Sequence, residues 1–124
     1  METKIQGIGQ IAIAVKDIGR AVEFYRDVLG LNLLFQAPPG LAFFECGGVR
    51  LMLTLPLGPA EDHRTSVICY RVGDLERAVK DLEALGVRMD RGAERVAKLP
   101  GGRELWMAFL RDPDRNLIGL MSER

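Results

Sequence analysis

The clearest pattern along the chain is a stretch of hydrophobic and polar positions that occurs twice. Residues 11–22 (IAIAVKDIGRAV) align without gaps with residues 68–79 (ICYRVGDLERAV). In each copy an apolar run with high β propensity ends in Val, Asp follows two positions later, and Arg-Ala-Val recurs in the same phase. A repeat of this kind predicts two copies of one structural module.

Each copy continues with the pattern of an amphipathic helix, because apolar residues recur at three- and four-residue spacing. These residues are Ile18, Ala21, Val22, Tyr25 and Val28 in the first copy, and Leu75, Ala78, Val79, Leu82 and Leu85 in the second. Asp17 and Asp74 stand where the helices begin and are predicted to be N-caps. Gly30 and Gly86 follow the last apolar positions and predict left-handed helix ends.

Three short β-like runs follow each helix, at 31–37, 40–46 and 49–54, and again at 87–96, 103–110 and 116–122. Gly47-Gly48 predicts a two-residue hairpin, since glycines adopt the positive φ angles of such turns. With its leading strand, each copy is predicted to be a βαβββ module. The expected boundaries are 1–57 for the first module, 58–64 for a Pro- and Gly-containing linker, and 65–124 for the second module.

Composition excludes several classes of partner. The 124 residues include 17 basic and 17 acidic side chains, which are scattered, so neither nucleic acid nor an anionic membrane is an expected partner. The N-terminus lacks the apolar stretch of a signal peptide, and no segment is apolar enough to span a membrane, which favours a cytoplasmic protein. Cys46 and Cys69 are too few for a disulfide framework and are expected to be small buried residues.

Two segments resemble a known family: IAIAVKDIGRAVEFYRDVLGL at 11–31 and LRDPDRNLIGLM at 110–121. Together with the duplicated module, they are similar to the vicinal oxygen chelate superfamily, which includes glyoxalases, bleomycin-resistance proteins and extradiol dioxygenases. The resemblance covers essentially the whole chain. It implies an α+β fold in which two βαβββ modules pair their antiparallel-rich sheets into an incomplete barrel around a cleft.

The resemblance also implies where a metal would be bound. Metal-dependent relatives hold a divalent ion with four ligands, usually His and Glu, from the first and fourth strands of each module. By motif these positions fall on Gln10, Met52, Val67 and Gly119. Valine and glycine offer no side-chain donor, and a thioether suits soft metals. We therefore expect no metal and no other cofactor.

Strand alternation predicts which side chains enter the cleft. The predicted cleft residues are Gln10, Phe43, Glu45, Arg50, Met52, Val67, Cys69, Arg71, Gly119 and Met121. An apolar floor with a few polar groups suits a small, mostly apolar molecule, and two arginines against one glutamate favour a neutral or anionic one. Glu45 is expected opposite Arg50, either as an acid/base catalyst or, more commonly, in a cross-strand ion pair. The alternative is that these residues simply fill the core.

Two functions remain open, besides a domain that binds no ligand. The leading hypothesis is a binding protein of the bleomycin-resistance type without the usual metal tetrad and without assigned catalytic residues. The alternative is a metal-dependent lyase, epimerase or dioxygenase with non-standard ligands such as Gln10, Glu45, His63 or Glu104. His63 lies in the predicted linker, and we interpret it as a solvated loop residue rather than a general base.

Three further features have structural consequences. Arg115 stands where relatives commonly have glycine, so it adopts a left-handed conformation or the turn differs locally. The facing of Trp106 is not fixed by any two-residue turn. A homodimer is expected, because an incomplete barrel leaves strand edges and apolar surface that relatives cover by pairing subunits.

Overall fold

A computed structural model describes residues 6–56 and 66–124. The predicted linker at 58–64, and with it His63, lies outside the described residues. The chain divides into two compact units, Met1–Arg64 and Thr65–Arg124.

Each unit has the predicted βαβββ order, with the helix between the first and second strands. The first contains β1 (Gln10–Ala14), α1 (Ile18–Glu23), a π-helical segment (Phe24–Val28), β2 (Asn32–Ala37), β3 (Leu41–Cys46) and β4 (Val49–Thr54). The second contains β5 (Ile68–Arg71), α2 (Leu75–Ala84), β6 (Met89–Lys98), β7 (Glu104–Arg111) and β8 (Leu117–Glu123). The α+β class and the two modules are confirmed.

The two sheets have the same topology. The strand order is β1-β4-β3-β2 in the first module and β5-β8-β7-β6 in the second. In both, the first and last strands are parallel neighbours and the other pairs are antiparallel. Ile11 lies opposite Leu51, and Ile68, its counterpart in the repeat, lies opposite Ile118, so the first strands meet the fourth strands in equivalent registers. The pairing of the two sheets around a cleft stays a prediction.

Both helices begin where the sequence predicts. The carboxylate of Asp17 accepts a hydrogen bond from the backbone N–H of Arg20 at 3.1 Å, and Asp74 does the same for Arg77. These bonds satisfy backbone donors that the first turn of a helix leaves free.

Glycines take the left-handed conformation at the predicted turns. Gly30 and Gly86 have φ angles of +76° and +89°, and Gly47 and Gly48 have +61° and +90°. The latter pair joins β3 to β4, with Cys46 opposite Val49, so the predicted hairpin register is confirmed.

The first helix differs from the prediction in its second half. The α-helix ends at Glu23, and a π-helical segment continues to Val28, where the N–H of Leu29 donates to the carbonyl of Phe24 at 3.0 Å. Tyr25 lies in this segment and is fully buried. The centre of its ring lies 6.2 Å from the centre of the Phe44 ring. The wider turn therefore belongs to the hydrophobic core of the module.

Each module packs its helix on one face of its sheet. On the helix side of the first sheet the buried side chains include Phe44, Leu51 and Leu53. In the second module Leu75 and Leu82 of α2 are buried, as are Leu110 and Ile118 of the sheet. The opposite face of each sheet therefore has no helix of its own module on it.

The loop between β7 and β8 is organised by a buried aspartate. Asp112 is 3% exposed and accepts hydrogen bonds from the backbone N–H groups of Asp114 and Asn116, each at 2.9 Å, and from Asn116 Nδ2 at 2.8 Å. Arg115 adopts a φ angle of +71°, so the left-handed alternative predicted for this residue is the one observed.

In the residues that the structure describes, no helix is both long enough and apolar enough to cross a membrane.

Candidate functional site

Four side chains form a continuous row across the first sheet, on the face away from the helix. Gln10, Arg50, Phe43 and Phe35 come from β1, β4, β3 and β2, and we call them the four-strand row. Arg50 Nε donates a hydrogen bond to Gln10 Oε1 at 2.8 Å, and the guanidinium carbon lies 5.1 Å from the centre of the Phe43 ring. The rings of Phe43 and Phe35 stack with centres 4.5 Å apart and planes 25° apart.

The row lies on an apolar floor that is accessible at one end. Met52 is 9% exposed, and its sulfur lies 3.5 Å from Gln10 Nε2. Ala12, opposite Met52, is small and exposed. Phe43 is 8% exposed, whereas Phe35 is 49% exposed, so the inner ring is covered and the outer ring presents a surface to solvent. An exposed aromatic ring beside a fixed cation can bind a small planar molecule.

The expected ion pair between Glu45 and Arg50 is wrong, although the two residues do lie opposite each other. The carboxylate of Glu45 accepts a hydrogen bond from the backbone N–H of Gly48 at 2.6 Å, and the guanidinium of Arg50 is bound by Gln10 instead. Glu45 is drawn to the turn because an N–H of a tight hairpin is a fixed, nearby donor. It therefore forms no ion pair with Arg50.

Phe35 belongs to the site, but the sequence does not single it out. Leu33 lies opposite Phe44, yet Phe35 lies opposite Phe43, so β2 carries one extra residue, Leu34, at this point. Simple alternation would place Phe35 on the helix side with Leu33. The bulge turns it to the other face.

The predicted cleft residues of the second module lie along β5 and β8. Cys69 is opposite Gly119, and Arg71 is opposite Met121. Val67 precedes β5 and is 45% exposed. None of these five residues belongs to the four-strand row of the first module.

Gly119 is enclosed by two sulfur-bearing side chains. A Cβ atom at this position would lie 2.9 Å from Cys69 Sγ and 3.1 Å from Met107 Cε. Both side chains would have to move to admit a larger residue, and both contacts are with the ends of side chains rather than with backbone.

Trp106 faces the helix side of the second sheet. It lies opposite Ser122 and two residues from buried Ala108. Its indole N–H donates to Glu104 Oε1 at 3.0 Å, and the guanidinium of Arg124 lies 4.2 Å above its ring. The hydrogen bond from Trp106, followed by one from Arg95, lowers the pKa of Glu104. Glu104 is thus engaged on the opposite face from Cys69 and Gly119.

The expectation that both cysteines are buried is wrong for Cys69, which is exposed, whereas Cys46 is half-buried. Burial raises the pKa of the Cys46 thiol, and the charge of Glu45 raises it further. A raised pKa leaves less thiolate at a given pH, and the thiolate is the reactive form.

We therefore expect iodoacetamide to alkylate Cys69 well before Cys46 at about pH 8. The rate at Cys46 should keep rising as the pH passes the ordinary thiol pKa. Mass spectrometry of quenched samples gives both rates. Cys69→Ser should remove the fast phase and Cys46→Ser should keep it. Equal rates for the two thiols would contradict this expectation.

The four positions that the resemblance assigns to metal ligands carry one side-chain oxygen donor, that of Gln10. No group of three or more His, Cys, Asp or Glu side chains suited to a metal occurs in the part of the chain that the structure describes. Of the four positions that the resemblance assigns, Val67 and Gly119 have no side-chain donor. Gln10 Oε1 accepts a hydrogen bond from the guanidinium of Arg50, and Met52 is a thioether beside the same amide. A cation already bound to the one oxygen donor opposes a second cation there.

Two four-stranded mixed sheets, each with one helix on one face, define a protein built from two βαβββ modules. The model of the Glyoxalase/Bleomycin resistance protein/Dioxygenase superfamily matches residues 7–120. The chain therefore belongs to this superfamily.

Solved structures share the fold over nearly the whole chain. A lactoylglutathione lyase from Agrobacterium tumefaciens is 24% identical with a TM-score of 0.72, covering 96% of this chain and 95% of its own. A protein from the mobile metagenome of V. Pseudocholerae is 26% identical with a TM-score of 0.76, covering 98% and 97%.

Two sequence relatives differ in how much they cover. The metallothiol transferase FosB of Staphylococcus haemolyticus is 41% identical over 49 residues, which are 40% of this chain and 34% of FosB. The chain thus spans about a third of the length of that relative. YraH of Bacillus subtilis is 29% identical over 125 residues, 88% of this chain and 92% of YraH.

Proposed function

We propose that this protein binds a small, mostly apolar, neutral or anionic molecule on the face of the first sheet that carries the four-strand row. The observation that supports the proposal most directly is the half-exposed ring of Phe35, stacked on Phe43 beside the fixed guanidinium of Arg50. A ligand that covers Phe35 and Met52 removes apolar surface from water, at roughly 25 cal/mol for each Å². A homodimer, expected from the sequence, is part of the same proposal.

In this proposal the protein works without the metal of its relatives. Gln10 takes the first ligand position, but its amide orients Arg50 rather than a metal ion. An arginine at this place attracts electron-rich or anionic groups, as a metal would, but it offers hydrogen-bond donors instead of open coordination positions.

The second candidate function is that of a metal-dependent enzyme with non-standard ligands. The observation that favours it is the 49-residue similarity to FosB, a metallothiol transferase. Such an enzyme needs three or more donors at one ion, and it would have to draw on residues other than those of the four assigned positions.

Elemental analysis and thermal shift together separate these candidates. Protein prepared without chelator is expected to carry far less than one Zn, Ni, Mn or Fe per chain, and small neutral or anionic aromatic compounds are expected to raise its melting temperature. In Met52→Glu the response to uncharged compounds should be lost, since the ligand would have to desolvate a carboxylate.

The matched control is Val96→Glu, which adds the same charge at an exposed strand position in the other module. This variant should respond to compounds like the parent protein. Near-stoichiometric metal would favour the enzyme instead. If no aromatic compound raises the melting temperature of the parent protein, the binding proposal is overturned.

A further inference from the structure

Arg50 forms no ion pair with an acidic group in the described structure. Seven other arginines are each paired with a carboxylate among the residues described. Arg50 is held instead by the neutral amide of Gln10, while Glu45, across the strand pair, is bound to Gly48. A neutral partner fixes the direction of the guanidinium and leaves its full positive charge available.

The terminal nitrogens of Arg50 are available for a ligand. Gln10 engages only Nε, and within residues 6–56 and 66–124 neither Nη1 nor Nη2 has a hydrogen-bond acceptor. Two parallel N–H donors on a planar, fixed group match the two oxygens of a carboxylate. The orientation is held twice, because Phe43 also lies against the guanidinium.

An aromatic surface adjoins this donor pair. The ring of Phe43 lies 5.1 Å from the guanidinium carbon and 4.5 Å from the ring of Phe35. The guanidinium carbon and the centre of the Phe35 ring are therefore at most about 10 Å apart, a distance that one molecule with a carboxylate on a two-ring aromatic system can span. Such a ring can pack against the exposed part of Phe35 while its carboxylate reaches Arg50.

We propose that the ligand of the four-strand row is a small aromatic carboxylate, with its carboxylate on the terminal nitrogens of Arg50 and its ring against Phe35. The inference rests on the proposed function and narrows it from neutral or anionic molecules to aromatic acids. Gln10 is a positioning residue in this arrangement, since it acts through Arg50.

The test compares three probes by isothermal titration calorimetry: 2-naphthoate, the uncharged 2-naphthalenemethanol, and the non-aromatic cyclohexanecarboxylate. The acid should bind at least about tenfold more tightly than the alcohol, as expected for a hydrogen-bonded charge pair. Its affinity should fall as salt is added. Cyclohexanecarboxylate should bind more weakly than 2-naphthoate, because it cannot stack.

Three variants test the roles that the inference gives to Arg50 and Gln10. In Arg50→Gln the affinity for the acid should fall to the affinity for the alcohol. Arg88→Gln, which removes the same charge from an exposed residue of the other module that is not among the predicted cleft residues, should leave both affinities within about twofold of the parent values. Gln10→Ala should reduce the ratio of acid to alcohol affinity while leaving the affinity for the alcohol nearly unchanged.

The outcomes separate this inference from the function on which it rests. If the acid and the alcohol bind equally well, and Phe35→Ala binds neither, the proposed function stands. The inference that the ligand is an aromatic acid is then overturned. If none of the three probes binds to correctly folded parent protein, both the proposed function and the aromatic-acid inference are overturned. An acid that keeps its full advantage in Arg50→Gln would also contradict the inference.

Discussion

Replacing Phe44 by alanine is expected to lower the free energy of unfolding by about 3–5 kcal/mol. Phe44 is fully buried and lies between its sheet and the π-helical segment, with its ring against that of Tyr25. The substitution removes a large apolar side chain and leaves a cavity that the rigid sheet cannot close. Urea unfolding followed by circular dichroism measures the loss.

The matched control is the same substitution at a half-exposed phenylalanine of this sheet. Phe35→Ala should cost at most about 1 kcal/mol, because half of that ring is already exposed. Phe44→Leu should recover much of the stability lost in Phe44→Ala. If Phe35→Ala were as damaging as Phe44→Ala, the outer face would be core and could not serve as a ligand surface.

Asp112→Ala is expected to lower the free energy of unfolding by about 2–4 kcal/mol, since it leaves a partly buried set of donors without their acceptor. Two backbone N–H groups, those of Asp114 and Asn116, lose their partner, as does the Asn116 amide. The same hydrogen bonds hold the loop in which Arg115 is left-handed. The measurement is again the urea midpoint and its slope.

Asp112→Asn provides the control for this loop. Its Oδ1 can still accept from both backbone N–H groups, while its amide would face the amide of Asn116, which can turn over. We expect less than half of the loss seen with alanine. An alanine variant within about 0.5 kcal/mol of the parent would show that the loop does not depend on Asp112.

Much of the fold follows from local chemistry that can be seen in the sequence. Asp17 and Asp74 cap helices because a short acidic side chain satisfies free N–H groups within one turn. The Gly47-Gly48 turn fixed the pairing of β3 with β4, and through it the opposition of Phe43 and Met52. Repetition of the same signals in both copies made the module recognisable.

The candidate site was only partly predictable, since its remaining features depend on competition between partners. Opposition of Glu45 and Arg50 suggested an ion pair, but a hairpin N–H and a glutamine amide on a third strand bind these two groups. The part played by Phe35 depends on a bulge, which alternation in sequence does not reveal. The face of the sheet on which Trp106 lies depends on the register of β7 and β8, which no short turn determines.

The π-helical segment of the first module has a consequence for the history of the chain. From the capping Asp17 to Gly30 the first copy has one residue more than the second has from Asp74 to Gly86. A π turn absorbs one additional residue while the flanking helix keeps its faces. We infer that a single-codon insertion or deletion separates the two copies since gene duplication, and that the π turn is its structural trace.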